Sequence, residues 1–255
     1  MPSYTDEGIV LRRVDYGETD RILTVLTLDH GKIGVMARGA RRPTSALGPR
    51  TDLFSRSRMQ LAAGRGELEV LTQAVPLTIT PAAGDARSVA CAALCAELVD
   101  RVLESNHAEP ELYGLLAAAL TDCADRTRDP RVAVVWFARR MIDRLGYAPQ
   151  LHDCTSCGTR LREQPARFSA AGGGLLCAEC APADPAGVEC SVRVIKVLRT
   201  AAAADTALWA RLRFDATTLA TLERVVEEEL AFHLDRRLRS FEVLRAIEGR
   251  SAAPG

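Results

Sequence analysis

Between residues 8 and 75 the apolar positions come in short runs separated by turn residues. IVLRRV (9–14), ILTVLT (22–27), IGVMA (33–37), RMQLA (58–62) and LEVLTQA (68–74) each read as a strand, since they are short and several are rich in β-branched residues. The tract D-H-G-K (29–32) makes one turn, and A-G-R-G-E (63–67) suits a hairpin. Five such strands with no long helical period predict a small closed or nearly closed barrel. The segment RRPTSALGPRT (41–51), with two prolines and a glycine, interrupts the strands as a long loop. PLTITPAAGDARS (76–88) then reads as a boundary, after which the period changes.

From Val89 the apolar positions Cys91, Leu94, Cys95, Leu98 and Val102 recur at three- and four-residue steps, a helical stripe. PELYGLLAAALTDCADR (110–126) predicts a second helix, and RVAVVWFARRMIDRLGY (131–147) a third that stops at Gly146. SVRVIKVLRTAA (191–202) and the long run 217–247 read as further helix, and the tail SAAPG as disordered. The expected organisation is α+β and multidomain. A barrel occupies residues 1–80, and helical segments occupy 81–150 and 186–248. A cysteine module is inserted at 151–185, and a disordered tail covers 249–255.

A chain of 255 residues can bury a sizeable core. The start MPSYTDEG has no apolar run of the secretory kind, and the apolar stretch VACAALCA (89–96) is far too short to span a bilayer. A soluble, intracellular protein is expected.

Charge alters the picture at one place. The chain balances 33 basic against 33 acidic residues, yet residues 32–65 hold Lys32, Arg38, Arg41, Arg42, Arg50, Arg56, Arg58 and Arg65 against Asp52 alone. Segregation on that scale points to a polyanion partner; the alternative is a mobile basic loop with none.

Four of the eight cysteines form two C-x-x-C pairs, Cys154/Cys157 and Cys177/Cys180, nineteen residues apart. A two-residue gap turns both sulfurs of a pair toward one ion, and two pairs complete a tetrahedron, so one structural zinc is expected. Gly158 would relieve the tight backbone after the first pair. His152 could swap in as a ligand but reads rather as a loop histidine, Cys190 could likewise substitute, and Cys91, Cys95 and Cys123 read as core thiols. The acids Glu227, Glu228 and Glu229 read as a solvated helix face. No H-E-x-x-H, G-x-S-x-G, Walker A or G-x-G-x-x-G pattern occurs, so binding is expected rather than enzymatic chemistry.

The segments Y16-G-E-T-D-R-I22 and A37-R-G-A-R-R42, followed by helices with the inserted cysteine pairs and a final S240-F-E, resemble the RecO family of bacterial recombination mediators. The resemblance runs nearly end to end. It implies an N-terminal OB-fold, a helical domain and a zinc insertion. It also implies DNA repair and recombination without catalysis: binding single- and double-stranded DNA, annealing complementary strands, and loading RecA with RecR onto strands coated by single-stranded DNA-binding protein. The setting would be the cytoplasm, at the nucleoid. On such a barrel Lys32, Arg38, Arg41 and Arg42, then Arg50, Arg13 and Arg21, are the expected phosphate contacts. Tyr16 and Phe54 are candidates for base stacking, although Phe54 reads equally as core, and Glu18 or Asp20 could pair with Arg21 instead. Arg139 and Arg140, beside Trp136 and Phe137, are candidates for the acidic tail of single-stranded DNA-binding protein unless those aromatic residues are core. The reading from another class is a zinc-containing protein–protein adaptor with incidental DNA contact.

Overall fold

The computed structural model of the chain describes residues 3–64, 66–77, 85–203, 209, 211–234 and 238–251. Five strands, β1 (Ser3–Tyr16), β2 (Asp20–Thr27), β3 (Gly31–Ala37), β4 (Arg56–Ala62) and β5 (Glu69–Pro76), close a barrel in the order β1-β2-β3-β5-β4. All neighbours are antiparallel except β3 and β5. This is an OB-like barrel. Alternate residues point inward, so Val10, Leu23, Val25, Ile33, Val35, Met59 and Leu61 fill one core.

β1 starts well before the apolar run that marked it. Its polar first half, Ser3 to Ile9, pairs with β4, and Gly8 to Tyr16 pairs with β2, so a single long strand closes the barrel. Arg65 and the boundary residues 78–84 lie outside the described residues.

Six helices are described: α1 (Ala86–Val102), α2 (Pro110–Ala124), α3 (Arg131–Arg144), α4 (Val192–Ala203), α5 (Ala216–His233) and α6 (Arg239–Ser251). The Asp85 side chain caps α1 by accepting the Ser88 N–H at 2.9 Å, and Asp215 caps α5 through the Thr218 N–H at 2.8 Å. The run 217–247, read as continuous, is therefore two helices. α6 continues to Ser251, so the disordered tail expected from residue 249 is helical over its first three positions; residues 252–255 lie outside the described residues. Between α3 and α4 a three-stranded sheet of β6 (Ala166–Ser169), β7 (Gly174–Leu176) and β8 (Val188–Cys190) runs in the order β7-β6-β8.

The chain forms two compact units, Met1–Val134 with Glu242–Gly255, and Val135–Phe241. In the first, the barrel rests on α1 and the segment after it. The Asn106 N–H donates to the Lys32 carbonyl at 3.0 Å. Gly31, at φ +74°, passes so near His107 that a Cβ there would lie 2.1 Å from the His107 carbonyl oxygen, which leaves room for glycine alone. Cys91, Cys95 and Cys123 are fully buried on α1 and α2.

Candidate nucleic-acid interface and metal centre

The two segments that carried the family resemblance meet in space. The turn between β1 and β2 is stitched to the loop after β3: the Arg41 N–H donates to the Thr19 carbonyl at 2.8 Å, and Arg41 Nη1 to the Gly17 carbonyl at 3.1 Å. Asp20 Oδ1 accepts the Gly39 N–H at 2.7 Å and the Thr19 hydroxyl at 3.0 Å. The Gly39 N–H above all, then Thr19, Arg38 and Arg42, hold the Asp20 carboxyl below its ordinary range. The start of the basic loop is thus pinned to the β1–β2 turn through Gly39 and Arg41.

Acidic neighbours sort those cations. Asp52 pairs with Arg13 and, at 3.2 Å, with Arg21; Asp15 pairs with Arg21 at 3.5 Å and Arg41 at 3.3 Å. Arg21 also donates to Thr51 Oγ1 and the Gly48 carbonyl, tying the strand to the loop at the barrel's mouth. Glu7 holds Arg56 at 2.9 Å and lies 3.7 Å from Arg58. Lys32 is 14% exposed; its Nζ donates to the Asp100 carbonyl at 2.5 Å and lies 3.3 Å from the Asp100 carboxylate. Arg12, Arg38 and Arg42 are exposed and Arg50 half-buried, and no ion pair holds any of the four among the described residues.

Arg12 on β1, and Arg38 and Arg42 near Asp20, flank a strip on the barrel's outer face. Arg12, Val14 and Tyr16 alternate along β1 and face one side, opposite Thr24, Ile22 and Asp20 of β2. Ile22 and Thr24 in turn sit opposite Met36 and Gly34 of β3. Leu68, from the β4–β5 loop, lies over Gly34. The β2–β3 face between the β1–β2 and β4–β5 loops is where OB barrels take oligonucleotides.

The cysteine pairs come together in the second unit. The sulfurs of Cys154, Cys157, Cys177 and Cys180 all lie within 4.8 Å of one another, with Cys157 and Cys177 3.8 Å apart. Four thiolates about 2.3 Å from one ion would be about 3.8 Å apart, so the set fits a tetrahedral metal site. Gly158, at φ +73°, turns the chain after the first pair, and its N–H donates to the Cys154 carbonyl at 2.9 Å. Burial works against a thiolate at Cys154, but the N–H groups of Cys157, Cys177 and Ser156 outweigh it and bring the thiol down to about 6. At Cys180 the Ser156 hydroxyl favours the thiolate, while the sulfurs of Cys177 and Cys157 push the group up to about 12. Four thiolates crowded together need a cation to stay ionised, and this donor set suits one. His152 and Cys190 are not in the cluster.

A third polar feature sits elsewhere in the second unit. Arg139 of α3, 1% exposed, donates through Nη1 to both carboxylate oxygens of Glu229 on α5 at 2.8 and 2.7 Å, and it also pairs with Asp143. Burial pushes the Glu229 carboxyl up to about 7 against the pull of that guanidinium. Glu229 is therefore a core residue, and the solvated face expected of the acidic run loses its third member.

Comparison with known proteins settles the relationship. The family described as "Recombination protein O C terminal" matches residues 83–242, and "Recombination protein O N terminal" matches residues 1–79. A "DNA repair protein RecO" of Desulforudis audaxviator is 37% identical over 249 residues, covering 97% of this chain and 98% of the relative. The chain belongs to the RecO family. RecO proteins of Roseiflexus sp. (34% identical; 94% of this chain, 84% of the relative) and Symbiobacterium thermophilum (30%; 97% and 98%) also match it over most of their length.

On this RecO chain the expected site residues divide. Arg38 and Arg42 lie open where a phosphate could meet them, with Arg50 partly so. Arg41, Arg13 and Arg21 are shared with Asp15 and Asp52, not with Glu18 or Asp20. Lys32 is corrected: its ammonium is engaged by Asp100, which fastens the barrel to α1. Phe54, 3% exposed, is core and not a stacking surface. Arg139 is corrected as well, since its burial against Glu229 removes it from any surface groove; Trp136 and Phe137 are core, and Arg140 is half-buried. Strand alternation lets at most one of Arg12 and Arg13 share a side with Lys32 and Arg38; Arg13 is the one expected, and Arg12 is the one on the outer face with Val14 and Tyr16.

Proposed function

We propose that this RecO-family chain is a non-enzymatic recombination mediator that binds single- and double-stranded DNA on the open basic face of its barrel. The observation that carries the reading is the group of exposed cations Arg12, Arg38 and Arg42 around the β2–β3 face, held by no ion pair among the described residues, beside a loop tied down by the Thr19 and Asp20 contacts. Side chains that hold phosphates without reading base edges reduce the repulsion between two strands and leave their bases free to pair. That supports annealing of complementary strands without nucleotide hydrolysis. The family expectation of RecA loading with RecR, on strands coated by single-stranded DNA-binding protein, belongs to the same proposal, with Arg140 the remaining candidate for the acidic tail. Zinc is the ion best matched to four thiolates; ligation closed by four protein ligands leaves it a structural role. Among the described residues no helix is long and apolar enough to cross a membrane, and we place the protein in the cytoplasm, at the nucleoid.

The test is annealing of two complementary, dye-labelled strands without nucleotide. The expected result is acceleration that fades as salt rises and is reduced in the Arg38→Ala, Arg42→Ala variant. No acceleration, with no binding of either strand at low salt, would instead favour a protein–protein adaptor.

A further inference from the structure

The arginines explain affinity for any nucleic acid, but they leave one feature of the face unused. Val14 and Tyr16 are each 55% exposed and are second neighbours on one strand, facing the same way. Ile22 and Met36, opposite Val14 across β2 and β3, extend the same surface at half burial. Arg12 lies beyond one end of this apolar strip. At the other, Asp20 opposite Tyr16 is committed to the Gly39 N–H and has Arg38 and Arg42 for charge neighbours. An apolar step with cations at its ends suits a ligand that offers a flat apolar face with negative charges on either side of it. Duplex DNA fits poorly, because its bases are stacked inside and only its backbone reaches a convex barrel surface. A single strand fits, since its unpaired bases stack on aromatic rings whatever their identity.

We propose that Tyr16, supported by Val14, is a stacking platform for an unpaired base, and that it makes this barrel bind single strands in preference to duplex. The inference rests on the DNA-binding reading above and adds to it the residue that discriminates between the two forms. The β1–β2 hairpin presents the ring at a turn whose backbone is held by the contacts of Thr19 and Asp20, so the strand end that carries the ring is in place before the single strand arrives.

Equilibrium binding of one labelled oligonucleotide, alone and annealed to its complement, tests this in the full-length protein. Tyr16→Ala is expected to weaken single-strand binding by about 5- to 150-fold, the range for removal of one base–aromatic stack, and to leave duplex affinity unchanged. Tyr16→Phe, which keeps the ring, should bind both as the parent does. A 2-aminopurine in the single strand should be quenched by the parent protein and less so by Tyr16→Ala. If Tyr16→Ala changes neither affinity, or lowers both equally, while the Arg38→Ala, Arg42→Ala variant still loses binding, the stacking proposal is wrong and the DNA-binding reading stands. If the parent protein binds neither form, both fail. Tyr16 is exposed at a hairpin end, so an unchanged melting temperature will separate a binding defect from misfolding.

Discussion

Lys32 and Arg38 stand six positions apart in one basic run, yet only one of them is open to a ligand. Lys32 points back to Asp100 of α1, and Arg38 is exposed to solvent. The sequence displays the charge but not its partner, because Asp100 lies in another element, far along the chain. The same limit hid the pair of Arg139 with Glu229, ninety residues apart, whose local neighbours suggested two surface charges. Here the energetic consequence is large. A buried charge that loses its partner is not resolvated, so Arg139→Ala should destabilise the protein by roughly 3–5 kcal/mol. Exchange of both partners for apolar residues of similar volume should cost far less. Urea unfolding of the two variants measures the difference; equal losses would show that the pair itself supplies the stability.

At the level of elements, legibility follows periodicity. The strands around Val10, Leu23 and Val35 were plain because alternate inward positions leave a period of two, and the helix from Ala86 because its stripe has a period near 3.6. The first half of β1 was not legible, since its polar residues gain their place by pairing with β4 rather than by burial. The break between α5 and α6 carries no proline or glycine to announce it. In the cysteine module the clustering of the four cysteines was legible from spacing alone, but the sheet of β6, β7 and β8 was not, because strands of three and four residues carry too little pattern. Such a small sheet has little core of its own, and the metal is expected to hold it together. Elemental analysis of the purified protein should find one zinc ion per chain. Cys157→Ser should lower that content and reduce thermal stability, and a strong chelator should reproduce the effect with the parent protein. Full stability in a metal-free preparation would contradict this.

For the whole molecule, the basic window of the sequence holds more cations than the fold leaves open to a ligand. Asp15, Asp52, Glu7 and Asp100 commit several of the cations to internal order. What remains is a smaller face built by two family segments, the β1–β2 turn and the loop after β3, that are separate in sequence and bonded in the fold. On the proposed function, this face, and not the basic run as a whole, meets DNA. The salt dependence of single-strand affinity tests it most directly, because each phosphate that a variant no longer neutralises lowers the slope by about 0.7. The Arg38→Ala, Arg42→Ala variant should bind more weakly and flatten the slope by about 1.4, whereas Lys32→Ala should keep the parental slope and show its effect as a lower melting temperature. A parental slope in the double arginine variant, or a flattened one in Lys32→Ala, would contradict the assignment.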